Sequence, residues 1–268
     1  MKWTRPYRPF VLVSHLRSGT HMLRTALDSH PQIRCQAEPF NANSPNLPYP
    51  RDTSTQEILN GWVFPTQPEE IETVGFVLHS YHPGGLRAFP ELRSNPGWDD
   101  VWTVLAGMPE LRVIRLARHN LLRRHVSQVV ARQSGYWHAW RGDRVAETLH
   151  LEGLPPSHTI DTERAAQPPV VLDIDRLIAD FEQVEMLAAR VDSLFGRHPT
   201  HSIIYEEMCA DTAGTFKGAQ AFLGVPVVEV EPSTRKLPGR PLTESIANFD
   251  AVAAKLRATR WAYVLDDE

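Results

Sequence analysis

A short polar loop near the N-terminus has the residue types of an anion-binding site. It runs from Ser14 to Thr20 with the sequence SHLRSGT, after the apolar run 10–13 and before a helical pattern of apolar residues. Such a loop directs the unpaired N–H groups and positive dipole end of the following helix at an anion, and Gly19 permits close approach. Arg17 adds a fork of donors that suits phosphate oxygens. The pattern predicts a phosphate site; the alternative is that Ser18 and Gly19 only cap a helix.

This loop differs from that of the nucleotide triphosphatases. The pattern GxxxxGK[ST] is absent, because no lysine follows Gly19, and the hydroxyl that binds magnesium is therefore not defined. The difference indicates a donor that is bound without a clamp of magnesium on a β,γ-phosphate pair. His79 and His82 also lack the further ligands of a zinc site, so we expect no metal.

A second anion site is indicated where another predicted strand, 113–117, passes into a helix, 119–133. Arg118 stands at the end of the strand, and Ser127 lies about two helical turns further on. A guanidinium and a hydroxyl that converge on one phosphate make charge-assisted hydrogen bonds. The alternative interpretation is a polar stripe on a surface helix.

The elements that must position these residues alternate between strand and helix. Strand-like runs are found at 10–13, 33–38, 74–78, 113–117 and 202–205, and helical patterns follow at 20–30, 119–133, 172–195, 213–223 and from 243. This alternation predicts an α/β fold with a mainly parallel central sheet flanked by helices. Residues 39–68, with six prolines, and 153–169 are read as irregular loops, and 268 residues suit a single domain, 1–268.

Composition excludes several classes of protein. A net charge of −4 argues against a general nucleic-acid or membrane-surface binder, although residues 112–144 hold eight arginines and one acid. We read that excess either as an anion site or as a solvated helix face. No apolar run approaches the roughly 20 residues of a membrane span, and no signal peptide is evident. Together with two widely spaced cysteines, Cys35 and Cys209, this predicts a cytoplasmic protein without a transmembrane segment.

The motifs resemble one known family. Residues 15–23, HLRSGTHML, are similar to the 5′-phosphosulfate loop of sulfotransferases that use 3′-phosphoadenosine 5′-phosphosulfate (PAPS). The likeness is strongest to the bacterial nodulation-factor sulfotransferases, which share RPF, an apolar run and R-x-G-T-H. Arg118 and Ser127, nine residues apart, resemble the family's 3′-phosphate element. Residues 204–208 and 221–225 resemble its Y-E-x-L and F-L-G segments, and residues 235–242 resemble its basic C-terminal loop.

The resemblance implies a P-loop-NTPase-like sulfotransferase fold and sulfuryl transfer from PAPS, with PAP as product, to a hydroxyl of a carbohydrate, glycolipid or other small molecule. Glu38 is the candidate base, because the Glu38 to Asn41 segment resembles a G-E-x-x-N stretch of bacterial relatives; His79 is the competing base. Arg17 would stabilise the leaving phosphate. The donor-binding residues implied are Arg17, Ser18, Gly19, Thr20, His21, Arg118, Ser127, Lys236 and Arg240. A related kinase, a non-catalytic nucleotide-binding module and a homodimer stay open.

Overall fold

The computed structural model describes residues 4–42, 44, 47–80, 96–134, 168–234 and 240–266. At its centre lies a five-stranded sheet in which every neighbouring pair of strands is parallel. The spatial order is β2-β3-β1-β4-β5. The strands are β1 (Arg8–Ser14), β2 (Ile33–Gln36), β3 (Thr73–His79), β4 (Arg112–Ala117) and β5 (Thr200–Ile204).

Helices follow each strand and flank the sheet. They are α1 (Thr20–Asp28), α2 (Thr55–Ile58), α3 (Val101–Ala106), α4 (Leu121–Ser134), α5 (Ile174–Phe195), α6 (Tyr205–Ala210), α7 (Thr212–Leu223), α8 (Leu242–Ser245) and α9 (Phe249–Arg257). A π-helical turn spans Leu59–Val63, and 3-10 turns span Pro96–Trp98 and Ala262–Leu265. The predicted α/β class with a parallel central sheet is confirmed.

Alternate residues of the strands enter two hydrophobic clusters, because successive side chains of a strand point to opposite faces. Val11 and Val13 of β1 pack on one face, in a cluster that includes Trp102 of α3 and Phe195 of α5. The other face receives its own set from the same strands, together with side chains of α1 and α7; it includes Phe10, Leu12, Ile114, Leu23 and Phe216. Two buried faces explain why β1 and β3 contain continuous apolar runs, at 10–13 and 74–78.

The parallel register brings the carboxyl ends of the central strands to one edge. Ser14, the last residue of β1, pairs with His79, the last of β3, on one side and with Leu116 of β4 on the other. The loops that follow these strands therefore meet at this edge. The predicted phosphate loop begins at this edge, and Glu38, the predicted base, follows the end of β2 at the same edge.

The prediction that residues 39–68 are irregular is wrong for part of that range. Ser54 and Glu57 form a reciprocal capping box that starts α2, and the π-helical turn follows directly. One helical turn is too short to show a period, and the surrounding prolines hide the capping pair. Helix α3 was not predicted, and the expected last helix is divided into α8 and α9. Of the loop expected at 153–169, residues 153–167 lie outside the described residues.

No helix among the described residues is both long and apolar enough to cross a bilayer.

Candidate active site

The predicted phosphate loop, residues 14–20, joins the end of β1 to the start of α1 through two residues in the left-handed region. Arg17 has φ 67° and Gly19 has φ 85°. A Cβ on Gly19 would lie 2.5 Å from Cδ2 of Tyr205 and 2.9 Å from Cε of Met208, so only glycine fits against α6. The Ser18 hydroxyl is buried without a hydrogen-bond partner among the described residues. A buried hydroxyl in this state is a polar group that a bound anion would satisfy.

The two predicted anion elements are in direct contact. Nε of Arg17 donates to the Ser127 hydroxyl at 2.9 Å, and Nη1 of Arg118 donates to the carbonyl oxygen of Arg17 at 3.1 Å. Residues more than 100 positions apart thus form one cationic cluster beside the N-terminus of α1. Sequence order alone does not establish this contact, because it depends on β1 and β4 being neighbours in the sheet.

Arg118 is held in place by α6. Its guanidinium lies 4.6 Å from the ring centroid of Tyr205, and its Nε lies 3.8 Å from Oε1 of Glu206. Burial lowers the pKa of Arg118 from its ordinary value, although the guanidinium still carries its charge at neutral pH. Burial also raises the pKa of Tyr205 to about 12, so its ring stays a neutral platform for the cation.

Glu206 occupies the N-terminus of α4. Its carboxylate accepts hydrogen bonds from the backbone N–H groups of His119, at 2.9 Å, and Asn120, at 3.1 Å. The positive end of this helix is therefore already matched by an acid of the chain. The helix N-terminus that remains suited to an anion in this cluster is that of α1. The sequence motif that includes Glu206 does not by itself predict this role, because the contact brings together residues that are more than 80 positions apart.

Glu38 lies in a hydrogen-bonded cluster just beyond the end of β2. Its Oε1 lies 2.9 Å from Nε2 of His79 and 3.9 Å from Nε2 of His21. Nδ2 of Asn41 donates to the other oxygen of Glu38 at 2.9 Å. The Glu38 side chain keeps 18% of its surface exposed, while that of His79 keeps 3%. The two candidate bases are thus hydrogen-bonded neighbours, and Glu38 is the more accessible of them.

His15 of the predicted phosphate loop is hydrogen-bonded to Ser80, the residue that follows β3. Its Nδ1 contacts the Ser80 hydroxyl, and burial, with a further contribution from the charge of Arg124, lowers the pKa of His15 to about 3. The ring is therefore neutral at physiological pH. Arg124 itself is buried and pairs with Asp180 of α5, which also lies 2.7 Å from Nδ1 of His125. This network ties α4 to α5.

Within 112–134, the part of the arginine-rich stretch that the structure describes, the arginines do not form one patch. Arg112 donates to the carbonyl of Phe222 at the other edge of the sheet, and Arg115 pairs with Asp192. Arg124 forms an ion pair with Asp180 of α5. The arginines of this stretch that the structure describes therefore do not form a single anion site, because alternate strand and helix positions point in different directions. Among them, Arg118 contacts the predicted phosphate loop.

The basic C-terminal loop is described only at its end. Lys236 lies outside the described residues. The backbone carbonyl of Arg240 accepts a hydrogen bond from Nη1 of Arg123 on α4 at 3.2 Å, and its guanidinium lies 3.9 Å from Glu244. This contact places the end of the loop beside the helix that carries Ser127.

Comparison with known proteins supports a common family. The family model described as "Sulfotransferase family" matches residues 9–229. Nodulation protein H of Rhizobium meliloti is 27% identical over 252 residues, covering 92% of this chain and 90% of that protein. Nodulation protein H of Rhizobium tropici is 27% identical over 248 residues, covering 90% and 86%.

Two solved structures are also similar. A sulfotransferase from Alicyclobacillus acidocaldarius is 19% identical with a TM-score of 0.44, and it covers 96% of both chains. The sulfotransferase domain of the Synechococcus PCC 7002 olefin synthase is 16% identical with a TM-score of 0.44, covering 96% of this chain and 90% of that one. Since the family model spans most of the sequence, from β1 to beyond α7, the chain belongs to the sulfotransferase family and is a sulfotransferase enzyme.

Proposed function

We propose that this enzyme moves the sulfuryl group of PAPS to a hydroxyl of a carbohydrate, glycolipid or other small acceptor, in the cytoplasm and within a single domain, 1–268. The observation that carries the proposal is the direct contact of two phosphate-type elements. Arg17 and Ser127 are hydrogen-bonded, and Arg118 binds the backbone of the same loop. A donor with two separate phosphate groups suits such a paired site better than a donor with one.

The residues present fit the two phosphates of the donor. The N–H groups that begin α1, including that of Thr20, the buried Ser18 hydroxyl and Arg17 suit the 5′-phosphosulfate. Arg118 and Ser127 suit the 3′-phosphate, with Lys236 and Arg240 of the basic loop as further donors. Two arginines and a helix N-terminus supply positive charge without a cation, so we propose that transfer needs no metal.

The transfer step requires a base on one side and charge stabilisation on the other. Glu38 accepts the proton of the acceptor hydroxyl as its oxygen forms a bond to sulfur. The bond from sulfur to the 5′-phosphate oxygen breaks in line, and PAP leaves with the bonding electron pair. Arg17 and the N–H groups at 19–21 stabilise the charge that develops on that phosphate, because they are oriented before the reaction begins.

A sugar acceptor is supported by an aromatic side chain near Glu38. Trp62, in the π-helical turn, is 45% exposed, and its carbonyl accepts a hydrogen bond from Gln36 at the end of β2, 2.5 Å away. Its ring lies 5.6 Å from that of Tyr49, whose hydroxyl donates to the carbonyl of Pro39. An exposed indole joined in this way to the Glu38 loop is suited to stacking on a sugar ring.

The proposal is tested with labelled PAPS and a panel of saccharides, glycolipids and phenols. We expect tight binding of PAP and transfer of label to a sugar hydroxyl, with no requirement for magnesium. Absence of binding to both PAPS and PAP would contradict the donor assignment. Protection by ATP with magnesium, but not by PAP, would favour a kinase instead.

A further inference from the structure

A chain of four side chains connects the candidate base to the phosphate loop. Oε1 of Glu38 lies 2.9 Å from Nε2 of His79, and Nδ1 of His79 lies 2.9 Å from the Ser14 hydroxyl. The Ser14 hydroxyl lies in turn 2.8 Å from that of Thr20, the first residue of α1. All three residues behind Glu38 are buried: His79, Ser14 and Thr20 are 2%, 4% and 5% exposed.

The chemistry of these groups sets the direction of the hydrogen bonds. An ionised carboxylate only accepts, so Nε2 of His79 must carry the proton that faces Glu38. In the neutral imidazole Nδ1 is then an acceptor, and the Ser14 hydroxyl donates to it. The oxygen of Ser14 is left to accept from Thr20. Thr20 therefore orients Ser14, and Ser14 orients His79. His79 in turn orients Glu38.

This arrangement separates the two candidate bases. Nε2 of His79 already bears a proton, Nδ1 faces Ser14 inside the sheet, and the ring is almost fully buried. An acceptor hydroxyl therefore has access to Glu38 rather than to His79. Glu38 is also held from a second side by Asn41, which leaves its carboxylate with little rotational freedom.

We propose that His79 is a positioning residue that orients Glu38 for proton abstraction, and that Ser14 and Thr20 orient His79 from the phosphate loop. The inference rests on the proposed role of Glu38. Because Thr20 begins the helix whose N-terminus we assign to the donor phosphate, the carboxylate and the donor site share one rigid hydrogen-bonded chain. The acceptor oxygen and the sulfur are thus aligned by the same loop, which matters because misplacement of a reacting group by about 1 Å costs on the order of 100-fold in rate.

The central experiment is a double-mutant cycle on turnover at saturating PAPS and acceptor. We expect His79→Ala to lower kcat by about 100-fold while affinity for PAP stays within about twofold. Glu38→Gln should lower kcat by at least this amount, as expected for loss of a general base. The double variant should be no slower than Glu38→Gln, since a positioning residue acts through the group it positions.

Two further variants report on the chain itself. His79→Gln retains an amide N–H for Glu38 and should recover part of the turnover lost in His79→Ala. Ser14→Ala frees Nδ1 of His79 and should lower kcat by about tenfold, at unchanged PAP affinity. Ser14→Ala also keeps the inference testable if His79→Ala does not fold.

The pH–rate profile separates this role from a purely structural one. Loss of a donor to a carboxylate favours its protonated form, so the acid limb of the kcat profile should move to higher pH in His79→Ala. Two other residues face the Glu38 carboxylate: Nε2 of His21 lies 3.9 Å from its Oε1, and Asn41 donates to its other oxygen. Neither residue is altered in His79→Ala. The displacement of the limb therefore reports the missing His79.

His30 offers a matched control. It is 1% exposed, and both ring nitrogens are engaged, Nε2 at 2.9 Å from the carbonyl of Pro226 and Nδ1 with the N–H of Gln32. It lies just before β2, at the other end of the strand from Glu38. His30→Gln should lower stability but leave kcat and the pH profile as in the wild type.

The outcomes distinguish this inference from the proposed function. Full turnover of Glu38→Gln would show that Glu38 is not the base. That result would overturn this inference but would leave the donor assignment untouched. Loss of turnover in Glu38→Gln with unchanged kcat and acid limb in His79→Ala and Ser14→Ala would overturn the positioning role alone. Additive losses in the double variant would show that His79 acts independently of Glu38, which also contradicts it.

Discussion

Nε of Arg17 donates a hydrogen bond to the hydroxyl of Ser127 at 2.9 Å, across 110 positions of sequence. Arg17 follows β1 and Ser127 lies on α4, which follows β4, and these two strands are neighbours in the sheet. The contact joins the loop that we assign to the 5′-phosphosulfate with the helix that we assign to the 3′-phosphate. A bisphosphorylated donor would therefore meet both at once.

Removal of the Arg17 guanidinium should impair both binding and chemistry. We expect Arg17→Ala to lower kcat/KM for PAPS by about 100-fold to 1,000-fold, as for loss of one group that stabilises developing charge. Arg17→Lys should recover part of this loss, because it keeps the charge but not the planar fork. Arg8→Ala is the matched control: Arg8 begins the same strand at the opposite edge and contacts Leu223 and Glu72. Equal rates for Arg17→Ala and the control would contradict the assignment.

Comparison of two nucleotides isolates the role of Arg118. PAP carries a 3′-phosphate and AMP does not, so Arg118→Ala should weaken binding of PAP by about 10-fold to 100-fold, as for loss of a charge-assisted hydrogen bond. Affinity for AMP should change far less, whereas Arg17→Ala should weaken both ligands. Isothermal titration calorimetry measures each affinity. An equal loss for PAP and AMP in Arg118→Ala would mean that Arg118 acts only by supporting the loop.

A methyl group on Gly19 should disturb the loop and the helix packed on it. The backbone of Gly19 is left-handed, and the new Cβ would lie 2.5 Å from the Tyr205 ring. We expect Gly19→Ala to lower the free energy of unfolding by at least about 1–2 kcal/mol and to weaken PAP binding. Gly61→Ala is the control, because its added Cβ has no atom within 4 Å apart from its chain neighbours and the backbone of its own helical turn. Urea unfolding of both variants measures the difference.

The stability of the protein should depend on the protonation of His15. Its pKa is about 3 in the folded protein, against an ordinary 6.5, so between these values the unfolded chain binds a proton that the folded protein does not. Stability is complete above pH 6.5 and decreases as the pH falls below it, by up to about 1.4 kcal/mol per pH unit from this group. His15→Gln should reduce that slope. Urea unfolding between pH 4 and 7 provides the test, and identical slopes would contradict it.

Trp62 should affect the acceptor rather than the donor. Trp62→Ala is expected to raise KM for a sugar acceptor by about tenfold, equivalent to the loss of about 1.4 kcal/mol of stacking, with unchanged affinity for PAP. Trp62→Phe should recover part of the effect. Met186→Ala removes another exposed apolar side chain, on α5, and serves as the control. An unchanged KM in Trp62→Ala would exclude a stacking role.

Much of the architecture could be predicted from local patterns. The runs 10–13 of β1 and 74–78 of β3 are continuously apolar because both faces of the sheet are covered. The helix at 174–195 is long enough to show its period. The capping box of Ser54 and Glu57 starts a single turn, and it was missed because four residues define no period. The family also follows from motifs, which the match over residues 9–229 confirms.

The candidate site depended on two levels of information. By itself, the sequence determined the residue types of the predicted phosphate loop and the spacing of nine positions between Arg118 and Ser127, because both are local patterns. Only the tertiary structure decided that Arg17 contacts Ser127, that Glu206 fills the N-terminus of α4, and that His79 lies behind Glu38. These contacts depend on strand order and register, which bring the ends of β1, β3 and β4 together and which no local pattern of residues specifies.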